Sequence, residues 1–231
     1  YIKRSDGLTM NKNNNVRSNL RNTSQANRAG MQKNMRNNIN KNVGPNNKNN
    51  VSQGKNSKEK DEADVVLKKI WSDNVMWTRF FIISAISGIG DLQIITKKLI
   101  KTPTEFSNVL KNYFDEESSK KFEALMMDHL LIGIKLINTA KSGNISAIKG
   151  MRTQWYKNAD EISELMSSMN SNWNYNEWQK MLRENLKLTE DQVIKRFSRQ
   201  YNDDILSFEK MSSLSIKMAE IMATGIIKQT K

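Results

Sequence analysis

The chain contains no cysteine, which excludes disulfides, thiolate metal sites and a thiol nucleophile. Histidine occurs once, at His129, so a ligand set of several imidazoles is excluded as well. One histidine could serve a serine triad only at a strained nucleophile turn, and no Gly-x-Ser-x-Gly is present. Proline occurs twice and glycine ten times, and Gly88-Ile89-Gly90 lacks both the third glycine and the preceding strand of a phosphate loop. The paired carboxylates Glu116-Glu117 and Asp203-Asp204 fall at expected helix starts, where they complement the macrodipole. Long apolar runs are missing too. The most apolar window, residues 80–90, is about half the ~20 residues a membrane helix needs. No charged segment followed by an apolar run opens the chain, so no secretory signal is seen. These absences point away from an enzyme and toward an intracellular protein with no cofactor.

What is present is divided sharply by charge. Residues 1–60 hold 13 Lys and Arg against Asp6 and Glu59, a net of +11, whereas the remainder carries 24 basic and 22 acidic residues. Seventeen of the first 60 residues are Asn, and large apolar residues there are isolated. Such a segment buries too little apolar surface to offset the entropy of ordering, so residues 1–60 are expected to form a disordered basic tail. The tail is either a solubilising lead-in or an arm for nucleic acid or another anionic polymer, with Lys33, Arg36 and Lys41 as candidate contacts. Tyr1 is its one aromatic, so base stacking is not supported. Met10 opens the Asn/Lys-rich stretch, and residues 1–9 read as an upstream extension or a fragment boundary.

From about Asp61 the pattern becomes helical, with apolar residues three and four apart. The first helix is expected to run to about Ser87, with Leu67, Ile70, Trp71, Asn74, Phe81 and Ala85 on one face. Gly88 to Gly90 breaks it, and Asp91 is placed to cap the second helix. That helix meets Thr102-Pro103-Thr104-Glu105, a capping-box pattern with proline at the first helical position, so a break or kink is expected there. Asp115 caps a third helix ending at Gly143, Asn144 a fourth, and Asn174 a fifth; the sixth runs from about Asp203 to Lys228. Thr189-Glu190-Asp191-Gln192 also reads as a capping box. The fifth helix is nevertheless expected to pass through it, because a longer-range pattern aligns Thr189 with the middle of the third helix.

That pattern is an internal repeat. Ile70-Trp71-Ser72-Asp73-Asn74-Val75, Leu125-Met126-Met127-Asp128-His129-Leu130 and Met181-Leu182-Arg183-Glu184-Asn185-Leu186 each read apolar, apolar, any, acid, Asn or His, apolar, at intervals of 55 and 56 residues. Lys101 to Leu110 likewise lies over Lys157 to Met166. The expected architecture is all-α and bundle-like: six long helices in three antiparallel hairpins, over residues 62–113, 115–170 and 174–228. The helical domain then covers residues 61–231.

Asn74, His129 and Asn185 should therefore occupy equivalent mid-helix positions, each preceded by an acid: Asp73, Asp128 and Glu184. Two uses are open. The layer is either a buried polar set that fixes helix register, the acids orienting the amides or imidazole, or a site for a small ligand or metal ion with His129 as the metal ligand. Arg79, beside Trp77, is a candidate for a structural ion pair or for binding an anion.

Met76-Trp77-Thr78-Arg79, Asp128-His129-Leu130-Leu131-Ile132, Trp155 with Asn158-Ala159-Asp160-Glu161-Ile162, and Gly225-Ile226-Ile227-Lys228-Gln229 resemble a family of small, uncharacterised all-helical proteins from spore-forming Gram-positive bacteria. Members are often labelled acetylglutamate kinase. That fold is α/β with glycine-rich phosphate loops, and this sequence has neither. The resemblance implies histidine at all three layer positions in relatives, whereas this chain has Asn74 and Asn185. It also implies a cytoplasmic or spore-associated location. The leading functional expectation is a non-enzymatic interaction or structural protein with a basic arm; the alternative is a metal- or ligand-binding bundle. A protein partner or a homo-oligomer is compatible with both.

Overall fold

The structure, a computed structural model, describes residues 50–229. Most of the expected tail, including Lys33, Arg36 and Lys41, lies outside the described residues. Seven helices and no strand occur among the described residues: α1 (Asn50–Ser87), α2 (Leu92–Leu99), α3 (Thr102–Leu110), α4 (Glu116–Ser142), α5 (Ile145–Met169), α6 (Tyr175–Phe197) and α7 (Tyr201–Gln229). Helix α1 starts at Asn50, earlier than the position suggested by the onset of apolar periodicity near Asp61. The expected second helix is divided into α2 and α3. No helix of the described residues is long and apolar enough to cross a membrane.

Local chemistry explains most boundaries. The Asp115 carboxylate accepts from the Ser118 amide (2.7 Å), Asn144 from Ala147 (3.1 Å) and Asn174 from Glu177 (3.0 Å), each satisfying a donor that the first helical turn leaves orphaned. Gly143 ends α4 at φ +73°, a left-handed conformation that costs glycine little.

Two expected caps do not form. Asp91 makes no side-chain cap and contributes its carbonyl, bonded by the amides of Ile94 and Ile95. Thr102 does not cap α3 either. Pro103 has no N–H to donate to the Leu99 carbonyl one turn back, which is why α2 cannot continue. The Thr102 hydroxyl turns inward and fills that role, donating to Leu99 O at 2.9 Å.

Helix α6 is continuous through Thr189, as expected. Thr189 and Gln192 face the core, and the Thr189 hydroxyl donates to Asn185 O (3.0 Å), an intrahelical bond that replaces the cap geometry.

Helix α4 packs on α5, α6 on α7, α5 on α6, and α3 on α4. Helix α1 is fastened by side chains. Trp71 meets Phe106 of α3 edge-on (4.9 Å) and stacks on Trp178 of α6 (6.3 Å), and Lys141 of α4 donates to the carbonyl of Ala85 near the α1 C-terminus (3.0 Å). Trp71, Trp155 and Trp178 are buried and Trp77 is half-buried.

Trp173 was unexpected. It lies in the α5–α6 turn, where the sequence suggests only loop, yet it is buried against α7. Its indole donates to Met222 O (3.2 Å) and covers Gly225, where a Cβ would collide with the ring. Trp155 repeats the arrangement: it donates to His129 O (2.8 Å) and covers Gly133, where a Cβ would lie 2.8 Å from the indole. Gly225→Ala should therefore lower the unfolding free energy by about 1–3 kcal/mol through overpacking, despite alanine's ~1 kcal/mol advantage as a helix former. Gly150, in α5 with nothing within 4 Å, is the control, and Gly150→Ala should be stabilising. Urea denaturation of the two variants reads the difference.

Candidate functional site

The three layer positions share one cavity. Asn74 from α1, His129 from α4 and Asn185 from α6 all line a space of about 40 Å³. Their neighbours in the lining fall into further rows of three. Trp71, Met126 and Leu182 form one row, and Thr78, Gly133 and Thr189 another. Each row has the spacing of 55 and then 56 residues seen in the sequence. Leu99 and Trp155, 56 residues apart, also contribute.

The acids do not join them. Asp128 and Glu184 are exposed, and Asp73 is half-buried and paired with Lys69 on its own helix. The expectation that these carboxylates orient the layer is thus overturned. Adjacent residues are about 100° apart around a helix, so the residue before a buried position points outward. Asp128 instead lies in a surface groove with Lys157 and Glu161.

The layer is oriented by side chains that the sequence reading did not single out. Asn74 donates through Nδ2 to the Thr102 hydroxyl (2.9 Å), the group set free by the α2–α3 break. The Nδ1 atom of His129 lies 2.7 Å from Oδ1 of Asn158, whose Nδ2 donates to Leu125 O (3.0 Å). Thr102 and Asn158 are themselves 56 residues apart. The same interval reaches Leu214, an apolar residue, and the amide side chain of Asn185 has no hydrogen bond among the described residues. A signal for Asn158 was available: it lies three residues after Trp155 and four before Ile162, on the apolar stripe of α5.

His129 is 6% exposed. Burial holds its pKa down at about 4, with the Asn158 hydrogen bond opposing the shift. The ring is neutral at neutral pH. It is also the strongest metal ligand at the cavity, with the Met126 thioether as the other soft donor. Among the described residues no group of three His, Asp or Glu is placed to hold a metal ion.

Arg79 sits apart from this layer. Its guanidinium engages Asp204 of α7 through both terminal nitrogens, Nη2 at 2.8 Å, and donates from Nη1 to Gln192 of α6 (3.2 Å). Phe208 lies under it, 5.4 Å from the ring centre. The structural pair forms, and the guanidinium is committed to it, so Arg79 as an anion site is overturned. Asp204 has no exposure and also accepts from Arg196 (3.4 Å).

The described residues form an all-helical bundle, with Asn74 and His129 buried and Asn185 half-buried at the cavity. Comparison with protein-family models, curated proteins and solved structures gives no match for the chain.

Removing one member of the Arg79–Asp204 pair strands a buried charge. Arg79→Met should cost about 3–5 kcal/mol in urea denaturation, and Arg79→Met with Asp204→Leu should recover most of it. For His129 the folded pKa lies below the ordinary histidine value of 6.5. The unfolded chain therefore binds the proton first as pH falls, and stability held above pH 6.5 is lost toward pH 4. Between pH 7 and pH 5 the loss should be about 2 kcal/mol, at 1.36 kcal/mol per pKa unit. Matched denaturation curves of the parent and His129→Gln should show that loss in the parent alone.

Proposed function

We propose that the chain is a non-enzymatic helical interaction or structural protein: three pseudo-equivalent hairpins close on a buried polar layer and carry a basic N-terminal arm for an anionic partner. The observation that carries this reading is the segregation of charge, a net of +11 over residues 1–60 against 24 basic and 22 acidic residues over the rest. A helical body near charge balance is suited to packing and presentation, while a concentrated basic segment attracts polyanions by releasing their counterions.

The interior supports the same reading. A cavity of about 40 Å³ is far smaller than the roughly 300–1,000 Å³ of ordinary small-molecule sites. The imidazole within it has no carboxylate beside it to act as an acid–base partner. The alternative use, a metal or small-ligand centre, draws on the three layer residues sharing one cavity. The donor set weighs against it, because amides are poor ligands for transition metals and the three acids lie at or near the surface.

The arm is tested by binding of the full chain to duplex DNA and to an anionic polypeptide as a function of salt. Affinity should fall linearly on a log–log plot, and Lys33→Gln, Arg36→Gln and Lys41→Gln together should flatten the DNA slope by up to about 2.7, at ~0.9 per phosphate contact. Binding that ignores salt, or no binding, rejects the arm.

A further inference from the structure

The polar groups at the cavity have their direction set from behind. Asn74 uses one N–H of Nδ2 on Thr102, which leaves its Oδ1 and a second N–H without a partner among the described residues. Asn158 uses Nδ2 on Leu125 O, which turns its Oδ1 toward His129 at 2.7 Å. A carbonyl oxygen at that distance accepts a proton from Nδ1, and a neutral imidazole has only one N–H to give. The Nε2 atom is left as a lone pair, on a buried side chain, with no hydrogen-bond partner among the described residues. The third helix adds Asn185, a half-buried residue whose amide has no hydrogen-bond partner among the described residues.

We propose that this cavity binds a small neutral hydrogen-bond donor, ordered water in the chain as it exists, held by His129 Nε2 in the Nδ1–H tautomer, by Asn74 Oδ1 and by the Asn185 amide. The imidazole Nε2 presents only an acceptor, so the occupant must donate to it. No carboxylate lines the cavity, so a cation there would have no counter-charge. A water needs about 10–15 Å³ of such volume, so the space takes roughly three, and buried waters typically make about three hydrogen bonds to groups otherwise unsatisfied. The water completes in the third unit the pairing that a side chain makes in the first two. This inference rests on the layer being architectural rather than a metal centre.

The single histidine makes the test unambiguous. The full chain labelled with [15N]histidine gives one Nδ1 and one Nε2 resonance. The expected result is a protonated Nδ1, an unprotonated Nε2 and magnetisation transfer from water to the ring protons. Asn158→Leu, checked for helicity by circular dichroism, should shift both nitrogens toward tautomer-averaged positions. Asn158→Gln, which keeps both the amide donor and the acceptor, should retain the parent pattern and serves if the leucine variant does not fold. A proton on Nε2, an imidazolium at neutral pH, or no transfer from water overturns the proposal. So does displacement of the water signal by stoichiometric zinc(II), silver(I) or ammonium. None of these outcomes bears on the salt dependence of the arm, so the two readings fail separately.

Discussion

Burying the imidazole of His129 and the amide of Asn74 in a helical bundle imposes one requirement: each must find a partner that another element supplies. The rest of the structure is arranged around meeting it. Asn74 is met by Thr102, and Thr102 can meet it only because Pro103 stops α2 and leaves the Leu99 carbonyl for the hydroxyl to bond. His129 is met by Asn158, held in place by the carbonyl of Leu125 one turn before the histidine. A helix break and a side-chain choice on a neighbouring helix thus serve the same end. Without them the layer would hold unsatisfied groups costing about 1–3 kcal/mol each.

Much of this was legible in the sequence, and what was not has identifiable causes. The all-α class and the caps Asp115, Asn144 and Asn174 follow from local patterns that tertiary structure has no reason to override. The passage of α6 through Thr189 was settled by comparing distant segments, where the four-residue signal alone would have cut the helix. Thr102 misled because a capping signature and an inward hydroxyl look the same in one dimension. Trp173 was missed because a turn residue has no periodicity to betray its burial. The acids beside the layer misled for a geometric reason: adjacency in sequence is divergence on a helix.

The convergence of Asn74, His129 and Asn185 on one cavity could be conceived from the repeat, but what orients them could not. The partners come from second helices, where the repeat is weaker and where Thr102, Asn158 and Leu214 share no chemical type. Thr102 and Asn158 are buried in polar contacts, whereas Leu214, at the same interval, is apolar and half-buried. A layer assembled from unequal members keeps its helices distinguishable. Shifting one hairpin by a unit would bring leucine against histidine.

The Arg79–Asp204 pair joins residues 125 positions apart, from the first helix to the last. The hairpins α4–α5 and α6–α7 close over short turns, whereas α1 meets α7 only after nearly the whole domain has intervened. Loop-closure entropy grows as about (3/2)RT ln n, or roughly 4 kcal/mol at this separation before constant terms. Contacts between the ends of the domain, this pair and Lys68–Glu220 among them, therefore carry a larger closure cost than those within the hairpins. The first helix is thus tied both to its near neighbour α3, through Trp71 and Phe106, and to the far end of the domain.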